Sequence, residues 1–422
     1  MMLFVYGWFM RLLSPFLLLK LYARSRKEPL YAEAMAERFG FYTMPATSGC
    51  IWIHAVSLGE TRAIAALVNA IRQNYPGVKF VFTHGTATGR KQGVSLLKPG
   101  DVLVWQAWDS PQPVKRFFRH FQPKLGFLVD TEVWPMTVSQ AVQHGVPVVL
   151  LNARLSARSL RRSMQWSALA KPAFASLTAI WAQSEQDAKR FQSLGVQVQA
   201  VMGNLKFDAL PDNAQLVKGH ALRASFSRPV ILLAISREGE EAALLDVLAQ
   251  HPEYLKEVQW WLVPRHPQRF DDVAALVKAK AWPLMRRSEW GDSPDASLVQ
   301  ASDALVLGDS MGEMALYFSA ASVCLLGGSF EPLGGQNLIE SCACSCPVVM
   351  GPHTFNFALA ASLAQQAGAA IRVHHLKEAV DVAYRLALDK QECANKAELA
   401  RQFATQHQGA VARCIELIKP LM

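Results

Sequence analysis

Acidic residues are missing from two long stretches of this 422-residue chain: none occurs between Ser110 and Val129, and none between Val133 and Ser184. Lys115, Arg116, Arg119, Lys124, Arg154, Arg158, Arg161, Arg162 and Lys171 fall inside those stretches. Charged residues of either sign make up only 18% against 51% hydrophobic, which excludes an intrinsically disordered chain and leaves enough apolar material for more than one core. Glycine (25) and proline (22) stay near average usage, no segment is low-complexity and no repeat stands out, so collagen-like and array designs are excluded. Cysteine is sparse and odd in number: Cys50, Cys324, Cys342, Cys344, Cys346, Cys393 and Cys414 form no disulfide framework. Cys342, Cys344 and Cys346 lack Cys-x-x-Cys spacing and a following His, so they read as small buried thiols on a helix in a reducing compartment rather than as metal ligands. Recognition-helix, zinc-finger and RNP motifs are also lacking. The net charge of +9 therefore points to anionic lipid and a phosphorylated acceptor rather than to nucleic acid.

What the chain has in abundance at its start is apolar residues. Met1 to Leu19 is broken only by Arg11 and is followed by Lys20, Arg24, Arg26 and Lys27. A cleaved signal would carry its positive charge first and a small-residue site afterwards. The reversed order predicts an uncleaved membrane anchor over 1–27 with its basic flank on the cytoplasmic side. The length approaches a span, and Arg11 equally suits a helix lying in the interface.

Beyond the anchor, short apolar runs alternate with helix-length segments, the pattern of parallel sheets covered on both faces. Strands are expected at 50–56, 78–83, 101–105, 125–129, 146–152 and 179–183, then at 230–234, 259–263, 304–307, 323–326 and 347–350. The spacing predicts an α/β protein of two doubly wound, Rossmann-like parallel-sheet domains, over 28–208 and 229–422, with 209–228 as linker. Residues 377–422 read as helical and packing back across the domains.

In such sheets the loops after the strands carry the chemistry. Ser57-Leu58-Gly59-Glu60 follows the first strand, where Glu60 reads either as a dipole-complementing helix acid or as a general base. Thr86 sits in a Gly/Thr turn suited to phosphate, and Glu132 follows a buried strand in Thr131-Glu132-Val133-Trp134-Pro135. Two such glutamates after neighbouring strands can face one cleft. In the second half the loops are Ser236 to Glu241, Pro264-Arg265-His266-Pro267-Gln268-Arg269, Asp309-Ser310-Met311-Gly312-Glu313, Gly327-Gly328-Ser329 and Gly334-Gly335-Gln336-Asn337-Leu338-Ile339-Glu340. Together they predict a nucleotide site.

The series His54 to Glu60, Thr131 to Pro135, Asn152-Ala153-Arg154-Leu155-Ser156, Gly203 to Asp208, Pro264 to Pro267, Met311-Gly312-Glu313 and Gly327 to Glu340 is similar, in order, to the 3-deoxy-D-manno-octulosonic acid (Kdo) transferases. The resemblance implies a GT-B glycosyltransferase of lipopolysaccharide core assembly, bound to the inner membrane and acting from its cytoplasmic side, moving Kdo from CMP-Kdo to lipid IVA with inversion and without cofactor or metal. It implies an acceptor-binding first domain and a CMP-Kdo-binding second one. Glu60 would be the base, supported by Glu132. Arg265, His266, Met311, Gly312, Glu313, Gly328, Ser329, Asn337 and Glu340 would hold the donor, and Ser57, Thr86, Arg154, Arg158 and Arg161 the acceptor phosphates. Departures are Gln336 where the family usually has His, Ser310 for Thr, Arg237 for His and Met136 for Asn. Two other readings are a GT-B enzyme using a UDP-sugar, as transferase or epimerase, and a non-enzymatic periplasmic sugar-binding protein; the N-terminus and the free thiols speak against the latter.

Overall fold

The computed structural model describes residues 1–26, 28–290 and 304–422; Lys27, the last position of the expected anchor, lies outside the described residues. The chain divides into two compact units, Met1–Ala209 with Gln408–Met422, and Leu210–His407.

The first unit holds β1 (Ile51–His54), β2 (Phe80–His84), β3 (Val102–Trp105), β4 (Leu125–Val129), β5 (Val148–Ala153), β6 (Ala179–Ala182) and β7 (Ala200–Val201). They form one parallel sheet in the order β3-β2-β1-β4-β5-β6-β7. Every residue of β1, β2, β4 and β5 is buried, which is why these strands are continuous runs of Ile, Val, Leu and Phe rather than alternating patterns. Strand order reverses between β1 and β4, so a crevice opens beyond their carboxyl ends. Glu60 and Glu132 follow these two strands.

The second unit repeats the plan with β8 (Val230–Ser236), β9 (Gln259–Pro264), β10 (Leu284–Arg286), β11 (Leu305–Leu307), β12 (Val323–Leu326), β13 (Val348–Met350) and β14 (Ala370–Arg372). Its order is β10-β11-β9-β8-β12-β13-β14, again parallel, with the reversal between β8 and β12. The expected runs correspond to eleven of these strands; β7, β10 and β14 were not anticipated. Each has two or three residues and lies at the edge of its sheet, too short to leave an apolar run.

Two expectations about the connections change. The segment read as linker carries a 13-residue helix, Asn213–Ser225, capped by Asp212, whose side chain accepts from Gln215 N. It packs on the helix Met314–Ala320 so closely that a Cβ at Gly219 would stand 2.6 Å from the Leu316 carbonyl oxygen, so the segment belongs to the second unit. The assignment of everything after 229 to one domain is also corrected at its end. The helix Ala410–Ile418 returns to the first unit and lies on the helix Ala65–Asn74. Asp208 accepts from Gly409 N at 2.6 Å, and Arg413 Nε donates to the Met202 carbonyl at 2.7 Å, fixing that return. The cysteines are free; all but Cys393 are buried. Cys342 is on the helix Leu338–Ala343, while Cys344 caps it and Cys346 precedes β13.

Candidate functional site

The carboxyl end of β1 runs directly into the helix Leu58–Ala63. Ser57 caps it, its hydroxyl accepting from Glu60 N at 3.4 Å and donating to Glu60 Oε1 at 2.7 Å, while Val56 N donates to Glu60 Oε2 at 2.6 Å. This Ser-x-x-Glu exchange is a variant of the capping box, so the helix-start role considered for Glu60 is real. It also fixes the carboxylate at the mouth of the crevice. Burial pushes the Glu60 carboxyl above its ordinary value; the hydrogen bond from Ser57 opposes the rise, and the charge of Asp130 adds a smaller one.

On the other side of the reversal, Glu132 is half-buried, and Trp134 Nε1 donates to its Oε2 at 3.0 Å. Burial, then the charge of Glu60, and to a smaller extent Asp130, raise the Glu132 carboxyl to about 7. Like charges that resist joint ionisation shift one another in this way. Asp130, which the sequence reading did not single out, is the third carboxylate of the group. It adopts φ 61°, unusual for a residue with a side chain. Its Oδ1 accepts from Asn152 Nδ2 at 2.6 Å, and Asn152, itself at φ 53°, accepts from Leu205 N at 3.0 Å. One polar clamp thus ties the ends of β4 and β5 to the Gly203–Asp208 stretch. Arg154 joins the rim through its backbone, its N–H donating to the Asp130 carbonyl at 3.1 Å.

The histidines nearby are not alternatives as bases. His54 and His84 are buried at the ends of β1 and β2, and desolvation pushes them down to about 3 and about 4, so both are neutral. Thr86 caps the helix Ala87–Gly93 and bonds the Val56 carbonyl at 2.9 Å. Gly85 N, Thr86 N and Gly89 N all donate to oxygens of the protein, so these groups are not free to cradle an anion and the turn braces the Glu60 loop. Ser57 serves Glu60 directly. Arg158 and Arg161 stand exposed on the helix Ala157–Gln165, which has no buried residue.

In the second unit the chain kinks at Ile235, at φ 56°, where the β8–β9 register shifts. A β-branched residue is strained there, the kind of strain that clusters at functional loops. The next residues build a charged rim. Glu240 accepts from Gly328 N at 2.8 Å and from Arg237 N at 2.9 Å, and Glu241 takes two bonds of 2.8 Å from Arg269. Gly327 lies under β8 so tightly that a Cβ would meet the Ala234 and Ile235 carbonyl oxygens at 2.5 Å. Arg265 donates to Gln336 Oε1 at 2.7 Å, so Gln336 orients that guanidinium without needing to titrate. Burial and the neighbouring Arg237 and Arg265 lower His266, leaving it neutral or only weakly basic beside a cationic group.

The remaining donor-side candidates differ in how available they are. Ser329 is buried, its hydroxyl bonded to the Leu326 carbonyl at 2.5 Å and to Gly351 N at 2.8 Å, so it holds the turn. Gly328 N is engaged by Glu240. Glu313 is held by Arg287 at 2.7 Å and by Ser310, Gly312 turns the chain at φ 83°, and Met311 is exposed. Asn337 caps the helix Leu338–Ala343 and donates to Glu340 Oε1 at 3.1 Å, leaving the other carboxylate oxygen for hydroxyl donors. Glu240, Glu241 and Arg269 lie in loops expected at the nucleotide site, but their individual roles are not legible in sequence, where charges at a helix start look like ordinary solvated groups; only the fold shows that Glu240 and Glu241 are buried. Among the described residues no group of three or more His, Cys, Asp or Glu is arranged to hold a metal ion.

Comparison with known proteins points to a single family. The family described as 3-Deoxy-D-manno-octulosonic-acid transferase (kdotransferase) matches residues 33–209. A 3-deoxy-D-manno-octulosonic acid transferase from Bordetella pertussis is 39% identical, over 98% of this chain and 98% of its own. Another from Haemophilus influenzae is 31% identical, over 99% and 98%. Among solved structures, the UDP-GlcNAc 2-epimerase from Neisseria meningitidis bound to UDP-GlcNAc superposes with a TM-score of 0.55 at 14% identity, covering 87% of this chain and 99% of that one, a likeness of fold alone. Two doubly wound sheets, carboxylates beyond the first reversal, a basic rim beyond the second and near-full-length identity of 39% lead to one assignment: the chain belongs to the Kdo transferase family, GT-B glycosyltransferases of lipopolysaccharide core biosynthesis.

Proposed function

We propose that this protein transfers Kdo from CMP-Kdo to the tetraacyl disaccharide bisphosphate lipid IVA, with inversion at the anomeric carbon and without a metal ion. The observation that carries the reading is the pair Glu60 and Glu132, which follow the two strands flanking the first sheet's reversal: burial raises both carboxyls, and the charge of Glu60 helps bring Glu132 to about 7. A base with a pKa near the working pH accepts a proton most effectively in the transition state. Glu60 removes the proton of the acceptor hydroxyl as its oxygen attacks the anomeric carbon; the bond from that carbon to the CMP phosphate oxygen breaks, and CMP leaves as the anion. Glu132 orients the acceptor and keeps Glu60 basic by repulsion. Arg154, with Arg158 and Arg161, faces the acceptor phosphates.

In the second unit, Arg265, Arg237 and Arg269 supply the positive field for the departing phosphate, the part a divalent cation plays elsewhere, and the uncharged His266 ring offers it a hydrogen bond. Met311, Gly312 and Glu313 line the base side of the nucleotide, Gly328 and Ser329 shape the turn beneath it, and Glu340 with Asn337 takes the ribose hydroxyls. Release of CMP from CMP-Kdo, dependent on lipid IVA and undiminished by chelator, tests this directly. Turnover of UDP-sugars without use of CMP-Kdo contradicts it.

One observation favours a second allotment of roles within the same pair. Both Glu60 oxygens are engaged at the helix start, whereas Glu132 has a single bond and the pKa of about 7. If Glu132 is the proton acceptor, Glu132→Gln abolishes transfer and Glu60→Gln only shifts its pH profile; the reverse pattern assigns the proton to Glu60.

A further inference from the structure

The helix Met2–Ser25 is long and apolar enough to cross a membrane, with mean hydropathy 1.6. Its surroundings say how it meets one. Tyr6, Met10, Leu13, Leu17 and Leu21 are half-buried, at spacings of four and three that place them on one face. Val5, Phe9, Leu12, Phe16 and Leu19 are 56–72% exposed and repeat the same spacing on the other face. Both faces are apolar, so the helix shows no amphipathic signature in sequence even though one stripe is docked and the other bare.

Docking occurs at both ends. Near the start, Tyr6 donates to the buried Asp109 at 2.8 Å, and Leu3 and Tyr6 pack on the core beneath the helices Pro111–Phe121 and Pro135–Gln143. Gly7 allows the close approach there: a Cβ would stand 2.9 Å from Met136 Cε and 3.0 Å from Pro111 Cγ. Near its end, Leu21 packs with Tyr31 and Trp105, and the Arg24 guanidinium lies 4.4 Å from the Tyr31 ring centre. Tyr6 and Leu21 are about 22 Å apart along the axis at 1.5 Å per residue. A helix crossing the bilayer, whose hydrocarbon core is about 30 Å thick, would draw the folded unit attached to both points into that core, with the Asp109 network and the Glu37–Arg90 pair inside it.

Arg11 gives an independent reason. It is exposed, near the middle of the helix, beside the Trp8 ring at 5.5 Å. In a spanning helix it would sit at the bilayer centre, where a guanidinium costs at least about 2.5–3.5 kcal/mol; in an interfacial helix it reaches the headgroups. Residues 1–26 carry Arg11, Lys20, Arg24 and Arg26 and no acid, a charge that complements anionic headgroups.

We propose that Met2–Ser25 lies in the plane of a single leaflet, docked along its length on the first unit, with Val5, Phe9, Leu12, Phe16 and Leu19 in the hydrocarbon of an anionic lipid surface and Arg11 and Lys20 at its headgroups. This rests on the reading of the helix as the membrane anchor. It makes the protein monotopic, with both chain ends on the side of the catalytic unit.

The test uses the full chain with protease-cleavable tags at both termini, in sealed inside-out vesicles and in spheroplasts of a Gram-negative host. The expected result is cleavage of both tags in the vesicles and of neither in the spheroplasts. Cleavage of the N-terminal tag in spheroplasts alone overturns the in-plane helix and leaves the anchor and the transferase readings intact. Flotation with phosphatidylglycerol-containing vesicles runs beside it. The purified chain is expected to float, and Phe9→Glu/Phe16→Glu to float at least tenfold less while keeping its circular dichroism. Failure of the parent chain to float overturns the anchor reading and the in-plane helix together, again without touching the transfer chemistry.

Discussion

Glu132 carries a carboxyl raised to about 7, while in the unfolded chain it would titrate near 4.5. The folded state therefore favours the protonated form. The associated stability is fully present below the unfolded value, and it is lost as pH rises through about 7. A shift of this size corresponds to roughly 3 kcal/mol. Glu132→Gln is thus expected to stabilise the protein by up to that amount at pH 8 and by little at pH 4, read from denaturant unfolding at the two pH values. Equal effects at both would contradict the raised carboxyl. In transfer assays the acid limb of the wild-type kcat/KM profile is expected near pH 7, and Glu60→Gln, by removing the neighbouring charge, is expected to bring the Glu132 titration down. At the donor rim, Arg265→Ala is expected to raise the KM for CMP-Kdo by about 10-fold or more while leaving that for lipid IVA unchanged, because a charge-assisted contact is worth about 1.5–3 kcal/mol.

Among the elements, the tight turn after β12 makes the sharpest forecast. A methyl group at Gly327 would meet two carbonyl oxygens at 2.5 Å, so Gly327→Ala is expected to cost about 1–3 kcal/mol and to weaken CMP binding, measured by calorimetry. The strands themselves were readable because buried parallel strands are uninterrupted apolar runs; β7, β10 and β14 were not, since an edge strand of two or three residues needs only a neighbour to pair with. The helix Asn213–Ser225 hid in a segment whose Pro211-Asp212-Asn213 start resembles a connector, and in fact marks its cap. The motifs carrying Glu60, Glu132, Arg265 and Glu340 were visible as residue types at strand ends. The roles of Asp130, Asn152 and Glu240 were not, because they come from left-handed backbone or from burial, which adjacent residues in a sequence do not display.

Across the whole molecule, the chain passes from the first unit to the second after Ala209 and comes back before Gln408. Asp208 secures the return by accepting from Gly409 N and Val411 N. Asp208→Ala is expected to release the helix Ala410–Ile418, costing about 1–2 kcal/mol and speeding hydrogen exchange in that helix while β8 to β14 keep their protection. The central claim is that the carboxylate at Glu60 does chemistry as well as capping. Glu60→Gln separates the two, because glutamine still satisfies a capping box but cannot take a proton. The decisive measurement is therefore the product mass from lipid IVA and CMP-Kdo, for wild type and Glu60→Gln side by side, with CMP affinity checked in both. Wild type is expected to give product heavier by one or more Kdo units, and the variant at least 100-fold less at equal CMP affinity. Undiminished transfer by Glu60→Gln would reduce Glu60 to a helix cap and contradict the account.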